Sequence, residues 1–178
     1  SDWRDEYFKS AFEQKHDIDV SSGGEKVNYR ASYSHWSNDG NIINSGAKRD
    51  NIRLNSDISF FDKWLKVSPI LSYTRFNNKD FQDASGDGNA GFSDIMNIYT
   101  QLPHKEIYDA NSPTGYASAP PELGIDGNGN PIGERMLTDS RTSDDYFQAN
   151  VAADLKIWKG LSYKFTIGNT IKNGYSYT

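Results

Sequence analysis

The chain is expected to be all-β, an antiparallel up-and-down meander of about six long strands that forms a segment of a large transmembrane β-barrel. Three observations predict this. The first is alternation: in residues 27–33 the odd positions Val27, Tyr29, Ala31 and Tyr33 face the even positions Asn28, Arg30 and Ser32, and 52–60 repeats the pattern. A period of two over that length means strands with one face in an apolar medium and one in a polar medium. The second is strand length, about 11–13 residues against a usual 5–6, enough to cross a bilayer when tilted. The third is that the connections alternate between very short and long, so that every short turn falls at one end of a meander and every long loop at the other.

Composition narrows the classes. The chain has 178 residues, 35% of them hydrophobic, with a mean hydropathy of −0.78 and no apolar run long enough for a helical span. A barrel escapes that test, because only alternate strand residues meet lipid. A net charge of −5 and the absence of a basic cluster argue against a nucleic-acid partner. With no cysteine there is neither a disulfide framework nor a thiolate metal site. An exported protein needs a leader, and none precedes Ser1, so the N-terminus is expected to be processed or cut.

The elements follow in order. Residues 1–14 read as a short amphipathic helix carrying Trp3, Tyr7, Phe8 and Ala11, with Asp2 as its cap. A first strand is expected at about 16–22, and Gly23-Gly24-Glu25-Lys26 then makes a tight turn, since glycine reaches positive φ. The second strand covers about 27–36, followed by a polar loop at 37–48. The third, about 49–60, turns through 61–64 into a fourth at 65–76, where Pro69 removes one ladder donor. Residues 77–143 are rich in Gly, Asp, Asn, Ser and Pro and form one long loop, within which 92–102 is expected to be a helix begun by Ser93 or Asp94 and ended before Pro103. A fifth strand at about 145–157, a tight turn at Trp158-Lys159-Gly160 and a sixth strand complete the chain.

This register assigns two faces. Leu54, Ile58, Val67, Leu71, Val151, Leu155, Phe165 and Ile167 are expected to face lipid. Arg30, Arg53, Asp57, Asp154, Lys156 and Lys164 share the other face and are expected to line a lumen. Aromatic residues gather at both ends: Phe60, Phe61, Trp64 and Trp158 beside the short turns, and Tyr33, Trp36, Tyr73, Phe76, Tyr146, Phe147 and Tyr175 beside the long loops. Two aromatic belts around an aliphatic band are what two membrane–water interfaces select for. The alternative is a soluble β-sandwich glycan-binding module, whose strands also alternate but whose apolar face meets a second sheet. Six strands cannot close a barrel of the usual kind, which starts at about eight, so the chain reads as a piece of a larger wall.

The local sequence carries a resemblance. Residues 1–9 (SDWRDEYFK), 16–26 (HDIDVSSGGEK), 39–45 (DGNIINS) with Lys48-Arg49, 63–67 (KWLKV), and 158–161 (WKGL) with Phe165 resemble, in order and spacing, segments of SusC/RagA-type TonB-linked outer-membrane transporters. Asp17 and Asp19 depart from the commoner neutral residues of that pattern, and loop 77–143 matches none of it. The resemblance implies an early part of a barrel of about 22 strands, with the plug domain, the TonB box and the remaining strands outside these residues. It implies import of a large nutrient, glycan or peptide, across the outer membrane. It further implies a SusD-like surface lipoprotein as partner, the TonB complex as the energy source, no cofactor and no enzymatic activity.

Site chemistry is sparse. Asp126-Gly127-Asn128-Gly129-Asn130 begins like a calcium loop, but Pro131 stands where the EF-hand template needs glycine and Glu134 falls short of its last ligand position, so a Gly/Asn hairpin turn is expected there. His16, His35 and His104 lack metal-ligand spacing, and no nucleophile elbow or paired acid motif supports catalysis. Tyr99, Tyr108 and Tyr116 in the long loop are the candidates for ligand contact, with simple loop packing as the competing role.

Overall fold

A computed structural model describes residues 2–61, 64–79, 90–102, 104–117 and 129–177, with 90–94 described by backbone. It contains one six-stranded sheet in the order β1-β2-β3-β4-β5-β6, each strand antiparallel to the next. The strands are β1 (Glu13–Gly23), β2 (Val27–Asn38), β3 (Gly46–Phe60), β4 (Leu65–Lys79), β5 (Arg141–Trp158) and β6 (Leu161–Tyr177). Three short helices accompany them: α1 (Trp3–Tyr7), α2 (Ala90–Thr100) and α3 (Pro131–Leu137). No helix among the described residues is long and apolar enough to cross a membrane.

Turn chemistry sets the register. At the β1–β2 turn the Gly24 N–H donates to the Val27 carbonyl at 2.8 Å. Gly160, at φ 83°, closes the β5–β6 turn in a conformation that favours glycine. Opposite Pro69 and Ser68 the β3–β4 ladder is interrupted, as a residue without an N–H requires. The Ser68 hydroxyl bridges the gap with a 2.6 Å bond to Asp57 Oδ1.

Several boundaries differ from the sequence reading. The N-terminal helix is confined to Trp3–Tyr7, capped as expected by the Asp2 side chain on the Arg4 N–H; residues from Glu13 onward pair as β1, opposite Asn38. β3, β4 and β5 extend past their expected ends to Gly46, Lys79 and Arg141. Those extensions carry no large apolar side chain on either face, so alternation vanishes while backbone pairing continues. α3 was not foreseen. Asn130, expected in a hairpin turn, is the N-cap of α3, its Oδ1 accepting from the Gly133 N–H. Residues 126–128, Pro103, the tip of the 61–64 turn and the side chains of Ser93 and Asp94 lie outside the described set.

The packed core is not in the sheet. Its buried members among the described residues are Trp3, Tyr7, Ile98, Ile107 and Ile132, with Phe8, Ile42, Ile43, Ile95 and Tyr116 against them. All lie in helices or loops at the long-loop end, while most large apolar side chains of the strands are exposed, Leu54 at 41% and Ile167 at 59%, with Ile58, Val67 and Val151 half-buried.

Candidate functional site

Residues directly opposite in an antiparallel ladder share a face, so the register sorts the strand side chains. One row crosses all six strands as Ile18, Tyr33, Ile52, Tyr73, Phe147 and Ile171. Below it, toward the short turns, lie Leu54 opposite Leu71, Val151 opposite Ile167, Ile58 opposite Val67, and Leu155 opposite Tyr163. Phe165, opposite Ala153, joins them. All eight residues expected to face lipid therefore share one side. From Phe147 to Ile157, β5 runs about 34 Å, or about 25 Å of depth at the usual strand tilt, the height of a barrel's apolar band.

The aromatic row is hydrogen-bonded on its outer side. Tyr33 donates to Asp50 Oδ1 at 2.7 Å, and Tyr73 to Asp145 Oδ1 at 2.8 Å. Asp50 also meets His35 Nδ1 at 2.8 Å, and Asp145 accepts from Arg75 Nε at 2.8 Å and Nη2 at 3.1 Å. Each tyrosine thus has its ring in the apolar band and its hydroxyl among charges, the amphipathic use of Tyr at an interface. At the short-turn end Phe60, Trp64 and Trp158 are exposed. Trp158 reaches the apolar side through a register shift after Lys156 that pairs it with Leu161.

Trp36 corrects the belt assignment. It has the parity of Arg30 and lies opposite Lys15 and Arg49, so it occupies the polar face; Phe76 and Tyr146 do too. The Trp36 Nε1–H donates to Glu13 Oε1 at 2.9 Å, and the Arg49 guanidinium sits 5.8 Å from the ring centroid. Position along a strand sends a large aromatic residue to a belt, but parity decides which face it occupies.

The polar face pairs some of its charges and holds the others in register. Arg30 bonds Asp19 at 3.1 Å, Asp57 meets Lys66 Nζ at 3.2 Å, and Arg53 Nε donates to Asn55 at 3.1 Å. Lys66 and Lys164 flank Asp154 in register, with Lys156 two residues on. A hollow of about 240 Å³ opens here between Arg30, Asn55, Asp57 and Ser68.

Above the sheet, the small core forms a cap. The Ile43 N–H donates to the Tyr7 carbonyl at 3.0 Å, and the Lys9 N–H to the Asn41 carbonyl at 2.9 Å, tying α1 to the β2–β3 loop. Arg135 of α3 is 2% exposed; its Nε donates to the Ile43 carbonyl at 2.8 Å and its guanidinium stacks 5.6 Å from the Tyr7 ring centroid. Asn44 Nδ2 donates to the Arg135 carbonyl at 2.7 Å and the Thr138 carbonyl at 3.0 Å, and Asn130 Nδ2 to the Ile107 carbonyl at 2.7 Å. Sequence reasoning missed Arg135 and Asn130, although an Asn-Pro pair at 130–131 is a helix-start signal.

Of the three loop tyrosines, Tyr108 and Tyr116 meet, with ring centroids 5.7 Å apart, while Tyr99 stands apart at 61% exposure. Tyr108 donates to Glu6 Oε2 at 3.0 Å; burial, then that carboxylate, push its pKa up. Tyr116 packs on the core. At the rim, Asp139 accepts from Arg141 at 2.8 Å, which holds its carboxyl below the ordinary value. No cluster of metal-ligating side chains occurs among the described residues.

One open apolar face, aromatic rows toward both ends, and short turns opposite long connections define a section of membrane-barrel wall. No family model matches the chain. It is similar to the TonB-dependent receptor P3 of Formosa agariphila, 26% identical over 174 residues, covering 97% of this chain and 17% of that protein. It is also similar to the TonB-dependent receptor SusC of Bacteroides thetaiotaomicron, 23% identical over 164 residues, 88% of this chain and 16% of that protein. The chain thus spans about a sixth of the length of these relatives. Among solved structures, the RagAB peptide transporter superposes with a TM-score of 0.73 at 23% identity, over 99% of this chain and 19% of that one. RagAB in its closed–closed state gives 0.71. The chain resembles the SusC/RagA-type TonB-dependent transporters, and its fold is that of a segment of their barrel.

Proposed function

We propose that the chain is a wall segment of a TonB-dependent importer in the outer membrane, with Leu54, Val151 and Ile167 toward lipid and Arg30, Asp57 and Lys164 toward the lumen. The observation that carries this is the predominantly apolar face that six paired strands share, much of it exposed, with the charged strand residues on the opposite face. The segment does no chemistry of its own. It forms part of the conduit, and its cap forms part of the extracellular mouth. By likeness to the relatives, the whole receptor takes up a large nutrient, glycan or peptide, with a SusD-like lipoprotein over the cap and the TonB complex driving transfer. Tyr99, exposed on α2, is the cap aromatic most available to a sugar ring or peptide.

The test uses the full-length receptor in lipid nanodiscs, with single spin labels at Leu54, Val151, Ile167, Arg30 and Asp57. Oxygen, which concentrates in lipid, should relax the first three, and a water-soluble nickel chelate the last two. Labels at Val151 and Ile167 inaccessible to oxygen would instead indicate a soluble sandwich.

A further inference from the structure

The apolar face turns basic where it leaves the membrane band. Two residues beyond the Arg75–Asp145 pair, Lys48 lies opposite Asn77, and two residues further Lys79 lies opposite Arg141, all with the parity of the apolar face. With Lys9 they border a hollow of about 570 Å³, walled by Tyr175 and Tyr177, each 68% exposed. Four cations (Lys9, Lys48, Lys79, Arg141) stand against two carboxylates (Asp39, Asp139), a local excess of two positive charges in a chain whose net charge is −5. Asp139 is shared between Arg141 at 2.8 Å and Lys79 at 3.7 Å. Lys9 and Lys48 make no ion pair with any described residue.

We propose that this hollow binds the phosphorylated sugar headgroup of an outer-leaflet saccharolipid, an assignment that rests on the reading of the sheet as membrane wall. Two features select that chemistry. Ammonium and guanidinium donors on one face make charge-assisted bonds to phosphate oxygens, Arg in bidentate fashion. Phenol rings beside them offer flat apolar surface to a sugar, with hydroxyls for its edges. Height selects the lipid. From Tyr73 to Asn77 and Lys79 the strand climbs about 13–20 Å, about 9–14 Å along the membrane normal after tilt, which carries the cations out of the hydrocarbon to the headgroups. Cations near an anionic lipid surface each add substantially to attachment. The side matters as well: Lys48, Lys79, Arg141, Tyr175 and Tyr177 share the parity of the lipid-facing row, while Asn38, Ala47, Asn78, Thr142 and Ser176 of the same lining have the other. The hollow therefore lies over the upper edge of the sheet, with its strand charges on the lipid side.

The test is native mass spectrometry of the full-length receptor with bisphosphorylated lipid A and with lipid A stripped of both phosphates. The receptor should retain the phosphorylated lipid at least about tenfold better, and K48Q/K79Q/R141Q should abolish that preference. Tyr175→Ala with Tyr177→Ala should weaken both lipids while keeping the preference for phosphate. Equal retention of the two lipids by the unmodified receptor, or an undiminished preference in the charge variant, would overturn the assignment. So would displacement of the lipid by about 10 mM inorganic phosphate, which would mark a free-anion site. The heat-dependent gel mobility of folded barrels checks that each variant is folded. If labels at Val151 and Ile167 report lipid while the phosphate preference is absent, only the headgroup assignment falls; if they report a protein core, the wall reading falls with it.

Discussion

The sheet and the cap solve the same problem in opposite ways. In the cap, a few apolar side chains hide from water against each other: Tyr7 is fully buried and Ile107 1% exposed. In the sheet, a much larger apolar set is hidden from nothing within the chain, Ile167 at 59% and Phe165 at 48%. Bare apolar area on this scale marks a surface that meets a partner or a membrane. The cap is therefore a water-side structure that has to supply its own interior, and the sheet takes its apolar medium from outside. Mutations should separate the two, because cap variants leave membrane insertion alone and sheet variants leave the cap alone.

The largest effect is expected at Tyr7. Tyr7→Ala removes a fully buried ring, the surface on which Arg135 stacks, and the partner of Arg135 Nη1. A loss of about 3–5 kcal/mol in local cap stability follows from burial alone. Hydrogen exchange at Ile43, Ile107 and α3 should accelerate sharply while the strands stay protected. Exchange that rises equally in strands and cap would mean the two are one cooperative unit, and the comparison would fail.

Next come neighbouring residues of β5. Val151→Arg should cost about 2–4 kcal/mol if that side chain faces mid-membrane, whereas Asn150→Arg, on the polar face, should cost less than about 1 kcal/mol. Urea titration of the folded receptor in detergent or lipid reads the difference. Similar costs at both positions would erase the distinction between the faces.

Asn130→Ala is smaller and confined to the cap. It removes the N-cap bond to the Gly133 N–H and the side-chain bonds to the Ile107 and Ala117 carbonyls, of which Ile107 keeps the Ala117 N–H. About 1–2 kcal/mol is expected, seen as protease sensitivity between α2 and α3 with gel mobility unchanged.

These regions were not equally legible. The sheet could be read because its periodicity is a direct image of two media: Leu54, Val67, Val151 and Ile167 declare a face before any partner is known. Where both faces meet water, at Asn77, Asn78, Lys79 and Arg141 to Asp144, the image disappears although pairing persists. The cap was legible in its first two helices, α1 and α2, but not in what joins them. Its core joins Trp3 and Tyr7 to Ile98, Ile107 and Ile132, residues far apart in the chain that share no period. Arg135 reads as a surface residue until the fold brings Tyr7 and the Ile43 carbonyl to it. The basic rim was hidden in the same way, since Lys48, Lys79 and Arg141 become neighbours only through strand pairing.

The finest test of the two media lies with tryptophan. Trp36 and Trp158 both sit near strand ends, and composition alone treats them as equivalent belt residues. Register separates them. Trp36 lies on the polar face with its indole N–H on Glu13, and Trp158 lies on the apolar face at 77% exposure. Trp36→Phe should therefore cost only the value of one exposed hydrogen bond, about 0.5–1 kcal/mol, the same in thin and thick bilayers. Trp158→Phe should have an effect of similar size that varies with acyl-chain length, because an interfacial anchor matters in proportion to how well it meets the headgroup level. A chain-length dependence at Trp36 would return that residue to the lipid side and overturn the register across β1 to β3.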